Sequence, residues 1–127
     1  MATFDDVRRL GMALPEMTES TSYGTLALKV RKKLVCRMWS EREYNRDSVH
    51  DTEVLVVFCE LEMKSVLLEN HPDVLFTVPH YDGYGAVLVR MADVDLDDLA
   101  DWLEDSYRHR APPTLIRQLD VDNNDGL

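Results

Sequence analysis

Residues 54–59, Val-Leu-Val-Val-Phe-Cys, offer no polar position to either side of a strand. Successive side chains of a strand point to opposite faces, so a segment of this kind has both faces covered. It predicts a central strand with a helix packed over it, and the rest of the chain must supply its neighbours. Residues 25–30 alternate, with Leu26, Leu28 and Val30 on one face and Ala27 and Lys29 on the other, which is the pattern of a half-buried strand. Residues 34–39 form the next strand. The gap between them, Arg31-Lys32-Lys33, is short enough for a hairpin turn but lacks the Gly or Asn that primed turns favour. Residues 40–53 are dominated by charged side chains without a clear period and read as a solvated hairpin loop, or as an extension of the two strands. Two shorter strands follow the central one, at 75–78 and 86–91.

Helical periods fill the remainder. Residues 4–14 place Phe4, Val7, Leu10 and Leu14 inward, with Thr3 and Asp6 spaced as a capping box and Pro15 as a stop. Residues 61–70 put Met63, Val66 and Leu67 on one face. Residues 96–109 carry the clearest stripe (Leu96, Leu99, Ala100, Leu103, Tyr107), capped by Asp95, with acids early and bases late. Pro113 suits the first turn of a last helix, 113–119. Mostly hairpin-length connections then imply a single α+β domain: a mainly antiparallel five-stranded sheet with helices packed on one face.

The 127 residues suit one domain, 1–119, followed by an acidic tail, 120–127, expected to be disordered because it is polar and has no apolar period. The net charge of −10 repels phosphate polyanions at long range, although a local basic patch can override it. No apolar run approaches a bilayer span, so no membrane partner is expected. Asp5 and Asp6 stand where a signal peptide needs positive charge, and Cys36 and Cys59 fit reduced thiols; both point to a cytoplasmic protein.

Two segments, STSYGTLALKVRKKL at 20–34 and HPDVLFTVPHYDGYGAVLVRM at 71–91, resemble the MmcQ/YjbR family, and the similarity extends over roughly residues 3–119. The resemblance implies an antiparallel α+β domain similar to the bacterial frataxin fold. It also implies DNA as a partner, because members are described as DNA-binding on the basis of paired hairpin wings. That description rests on structural analogy, and a fold does not fix a function. Two departures stand out: Lys32 occupies a hairpin-tip position where members often carry Gly, and the 40–53 connection is longer than usual.

The first candidate site is a basic hairpin. Lys29, Arg31, Lys32, Lys33 and Arg37 lie within nine residues, and strand parity sets Arg37 opposite a Leu34/Cys36/Met38 face. With Arg90 as a further member, these bases suit phosphates, and Tyr23 and Trp39 nearby suit a stacked base. The bland reading is a solvated hairpin guarded against edge pairing. The second candidate is the loop 79–85, where Asp82-Gly83 favours a tight turn; His80, Tyr81 and Tyr84, with Tyr23, could line a pocket for a small molecule or a protein partner. No metal and no cofactor is implied: His50, His71, His80 and His109 are scattered, and no phosphate loop or dinucleotide fingerprint occurs. Cys36 and Cys59 read as core thiols, and no acid–base pair marks an enzyme. Nucleic-acid binding by the hairpin is the most specific expectation; a protein- or small-ligand-binding module using the sheet face and the 79–85 loop is its alternative.

Overall fold

The computed structural model describes residues 2–125. Six strands form one antiparallel sheet: β1 (Met17–Ser22), β2 (Thr25–Val30), β3 (Lys33–Met38), β4 (Val54–Phe58), β5 (Leu75–Phe76) and β6 (Ala86–Arg90). Their spatial order is β1-β2-β3-β4-β6-β5, which puts the all-apolar β4 inside the sheet. The helices are α1 (Phe4–Gly11), α2 (Glu41–Asp47), α3 (Leu61–Asn70), α4 (Leu96–Arg110) and α5 (Pro113–Asp125), with a 3₁₀ turn at Pro79–Tyr81.

The main core lies between one sheet face and α1, α3, α4 and α5, and includes Val7, Leu28, Leu55, Val89, Leu103 and Leu119. A smaller core on the opposite face gathers Trp39, Val54, Val56, Phe58, Tyr81 and Leu88, with Tyr44 of α2 packed against it. Helices are therefore not confined to one face.

Several expectations need correction. The sheet has six strands rather than five. The extra one, β1, reads Met-Thr-Glu-Ser-Thr-Ser and lies at an edge, where one neighbour and an exposed surface tolerate polar side chains. Its link to β2 is a two-residue turn, Tyr23-Gly24, with positive φ at both positions (53° and 76°), the type I′ geometry that matches sheet twist. The 40–53 segment is not a bare loop. Ser40 and Glu43 form a capping box: the Glu43 backbone N–H donates to Ser40 Oγ at 3.4 Å and the Ser40 N–H to Glu43 Oε1 at 3.0 Å. At the β2–β3 tip the residue with positive φ is Arg31 (56°), which precedes Lys32.

A β-bulge changes the hairpin's parity. Leu28 faces Cys36 while Lys29 faces Leu34, leaving Val35 as the extra residue. Val35 and Cys36 both enter the main core, and Leu34 turns to the face that carries Arg37. On α3 the inward residues are Lys64, Leu67 and Leu68, whereas Met63 and Val66 are exposed. The last helix continues past 119 to Asp125, with Arg108 reaching Asp120 at 2.9 Å, so the segment expected to be disordered is helical that far. Gly126 and Leu127 lie outside the described residues.

Gly85 sits where the chain enters β6, its carbonyl accepting the Cys59 N–H at 3.0 Å. A Cβ there would stand 2.8 Å from the Cys59 carbonyl oxygen, a backbone atom that cannot swing aside. Gly85→Ala should therefore cost about 2 kcal/mol of stability, as overpacking does. Urea unfolding checks this, and a midpoint matching the wild type would refute the close approach.

Candidate functional site

The second sheet face is not flat. Three elements rise around it: the Tyr23-Gly24 turn, α2, and the 3₁₀ turn with the residues after it. They enclose an open cleft of about 830 Å³ lined by Tyr23, Leu34, Arg37, Glu43, Tyr81 and Tyr84, with Ser40, Arg42, Arg46, Phe58 and His80 completing it.

The floor is a buried ion pair. Arg37 and Glu43 are each only 10% exposed in their side chains. Arg37 Nη1 donates to Glu43 Oε1 at 2.7 Å and Nη2 to Oε2 at 3.0 Å, a parallel two-bond fork. The Tyr81 hydroxyl closes the network. It accepts from Arg37 Nη2 at 3.0 Å and Trp39 Nε1 at 3.3 Å, and donates to Glu43 Oε2 at 2.8 Å. Among the described residues no buried side-chain nitrogen or oxygen lacks a partner, so this polar cluster is fully satisfied.

Burial opposes the Glu43 charge, but hydrogen bonds from Arg37, the Ser40 backbone and Tyr81 outweigh it and hold the carboxyl at about 2. Burial, and donation to Glu43, push the Tyr81 hydroxyl up to about 12. Neither group is poised to exchange a proton near neutrality; they fix geometry.

The loop 79–85 is pinned from below. Lys64, buried on α3, donates from Nζ to the carbonyls of Tyr81 at 2.6 Å and Tyr84 at 2.9 Å. Gly83 takes φ 73°, as the Asp-Gly turn requires. The rim is cationic and aromatic. Tyr23 is 82% exposed and Tyr84 49% exposed, and the Arg37 guanidinium lies 5.2 Å from the Tyr23 ring centroid. Arg42 makes no ion pair among the described residues, while Arg46 reaches Asp47 at 2.7 Å.

The cleft unites members of both candidate sets: Arg37 and Tyr23 from the hairpins, and His80, Tyr81 and Tyr84 from the loop. The other hairpin bases stand elsewhere. Arg31 pairs with Glu16 at 2.8 Å, and Lys29, Lys32 and Lys33 do not line this cleft. Arg90 does not join the hairpin, because β6 pairs with β4 and β5; it bonds Asp51 at 3.0 Å and lies over the Phe76 ring. Cys36 is a core thiol whose burial pushes it up to about 12. Sequence reasoning missed Ser40, Arg42, Glu43, Arg46 and Lys64. The Ser40-x-x-Glu43 spacing was the available signal for α2; a lysine facing inward gave none.

The family model for YjbR matches residues 12–109, a span that holds the whole cleft. The chain belongs to the YjbR family. It is 31% identical over 125 residues to the uncharacterised protein Rv2570 of Mycobacterium tuberculosis, covering 92% of this chain and 95% of that one. The uncharacterised Mb2600 of Mycobacterium bovis matches to the same extent. Among solved structures, the DR2400 protein of Deinococcus radiodurans, with a DUF419 domain, superposes with a TM-score of 0.64 at 24% identity, over 84% of this chain and 77% of that one. That likeness supports the α+β fold and carries no site.

Removing the Tyr81 hydroxyl strips partners from three buried groups at once. Tyr81→Phe should cost about 1–3 kcal/mol, read from urea unfolding. The Glu43 carboxyl also sets an acid limb. Held at about 2 in the fold against an ordinary 4.5, it contributes stability above the latter value and loses it as pH falls toward the former. The wild type should lose Tm more steeply across that window than Glu43→Gln; parallel curves would contradict the pairing.

Proposed function

We propose that the chain is a binding module whose second sheet face takes a planar ligand carrying an anionic group. The convergence of Tyr23, Arg42, His80 and Tyr84 around one cleft, over a floor whose charges cancel, carries this reading. Glu43 neutralises Arg37, so the positive field belongs to the rim, where Arg42 is exposed to solvent. The two exposed tyrosines offer flat apolar faces, which suit stacking against a planar group. The two free cysteines are consistent with a reducing, cytoplasmic setting. No helix among the described residues is long and apolar enough to cross a membrane.

Nucleic-acid binding by the hairpin is the second reading. Lys29, Lys32 and Lys33 make no ion pair among the described residues, which supports it. Against it stand the net charge of −10 and the pairing of Arg31, Arg37 and Arg90 with carboxylates.

One amide NMR titration separates the two, using benzoate, a nucleoside monophosphate and a short DNA duplex. A planar anion in the cleft should shift amides around Tyr23, 40–46 and 80–84, and Tyr84→Ala or Arg42→Ala should weaken it about tenfold or more without unfolding the chain. Duplex-induced shifts confined to 29–33 that fade between about 50 and 200 mM salt would favour the hairpin instead. A cleft undisturbed by every planar anion would overturn the first reading.

A further inference from the structure

A second cleft, of about 850 Å³, lies between the β2–β3 turn and the corner where α4 meets α5. Arg31, Lys32 and Lys33 form one wall, and His109 and Arg110 belong to the other. Val30, Ala111, Pro112 and Pro113 supply the apolar lining. Among the described residues, no carboxylate lines it.

That composition runs against the rest of the molecule. Acids outnumber bases 24 to 14, and Arg8, Arg9, Arg37, Arg46, Arg90 and Arg108 all pair with carboxylates. Arg31 at the cleft pairs with Glu16, and Arg110 donates to the Leu34 carbonyl at 2.8 Å, so both walls are anchored. Lys32 and Lys33 are exposed and have no ion-pair partner among the described residues. Two exposed lysines beside an apolar lining, in a chain with acid to spare, form a surface of charge complementary to an anion with a hydrophobic body. The Ala111-Pro112-Pro113 corner restricts the backbone on one side, so that wall is preformed.

We propose that this cleft is a second binding site, for a small organic anion: a phosphate monoester or a carboxylate with an apolar body. It shares no lining residue with the first cleft and stands independently of the function proposed for it.

Phenyl phosphate, titrated into the full ¹⁵N-labelled chain, tests the proposal, with inorganic phosphate and benzyl alcohol as half-probes for charge and apolar body. The expected result is saturable shifts over 30–33 and 109–114, weaker with either half-probe. Lys32→Gln with Lys33→Gln should weaken phenyl phosphate about tenfold, while Tyr84→Ala leaves it unchanged. The competing role for the lysines is to balance the negative C-terminus of α4. In that case the double variant lowers Tm and changes no binding, which overturns the proposal. So would shifts confined to the first cleft, equal shifts from inorganic phosphate, or none at about 10 mM phenyl phosphate.

Discussion

The Arg37–Glu43 pair holds the second face together. α2 has seven residues, too short to persist alone in water, and Glu43 is its one buried side chain. Taking two charges out of water costs several kcal/mol each, a cost met only when geometry is good and every remaining lone pair is bonded. Here the fork from Arg37, the Ser40 backbone N–H and the Tyr81 hydroxyl meet that condition together. The same bonds fix where α2 lies, and with it one wall of the cleft. Tyr44 adds to the attachment: its hydroxyl accepts the Val54 N–H at 2.8 Å, and its ring meets Trp39 edge-on.

The 79–85 loop need not be either a turn or a site, because it is a turn built so that its side chains are held. Gly83 supplies a left-handed residue and Gly85 allows the backbone to approach Cys59. Lys64 of α3 then fastens two of the loop's carbonyls. With its backbone fixed, Tyr81 can point inward as a hydrogen-bonding post while His80 and Tyr84 face the cleft. The two glycines are needed for different reasons, and only the first is a matter of φ.

Apolar periodicity made most elements legible. The all-apolar 54–59 run marked the central strand, and the stripes of α1 and α4 marked most of their inner faces, although Leu96 is exposed and Trp102 and Ser106 join the buried side of α4. The misses share a cause: polar residues doing structural jobs. β1 is polar because it is an edge. α2 lacks an apolar stripe because its anchor is a carboxylate. Lys64 sent the reading of α3 to the wrong face, since a buried lysine with its ammonium on two carbonyls looks like surface in a sequence. The bulge at Val35 moved Leu34 to the Arg37 face, a change that strict alternation cannot express. The basic hairpin was read as one cluster because the acids that divide it, Glu16 and Glu43, are distant in sequence or hidden in an unseen helix.

Arg110 shows how the two clefts stand to each other. It lines the second, yet its guanidinium lies over Phe58, and Nε bonds the Leu34 carbonyl; Phe58 and Leu34 line the first. One side chain thus passes from the end of α4 to the back of the other cleft's wall. The family match ends at 109, so it spans the whole first cleft but stops short of Arg110 and the proline corner. Net charge of either sign is a poor guide to both. What matters is where carboxylates are placed: on Arg37 one makes a neutral floor, on Arg31 one anchors a hairpin tip, and at Lys32 and Lys33 there is none among the described residues.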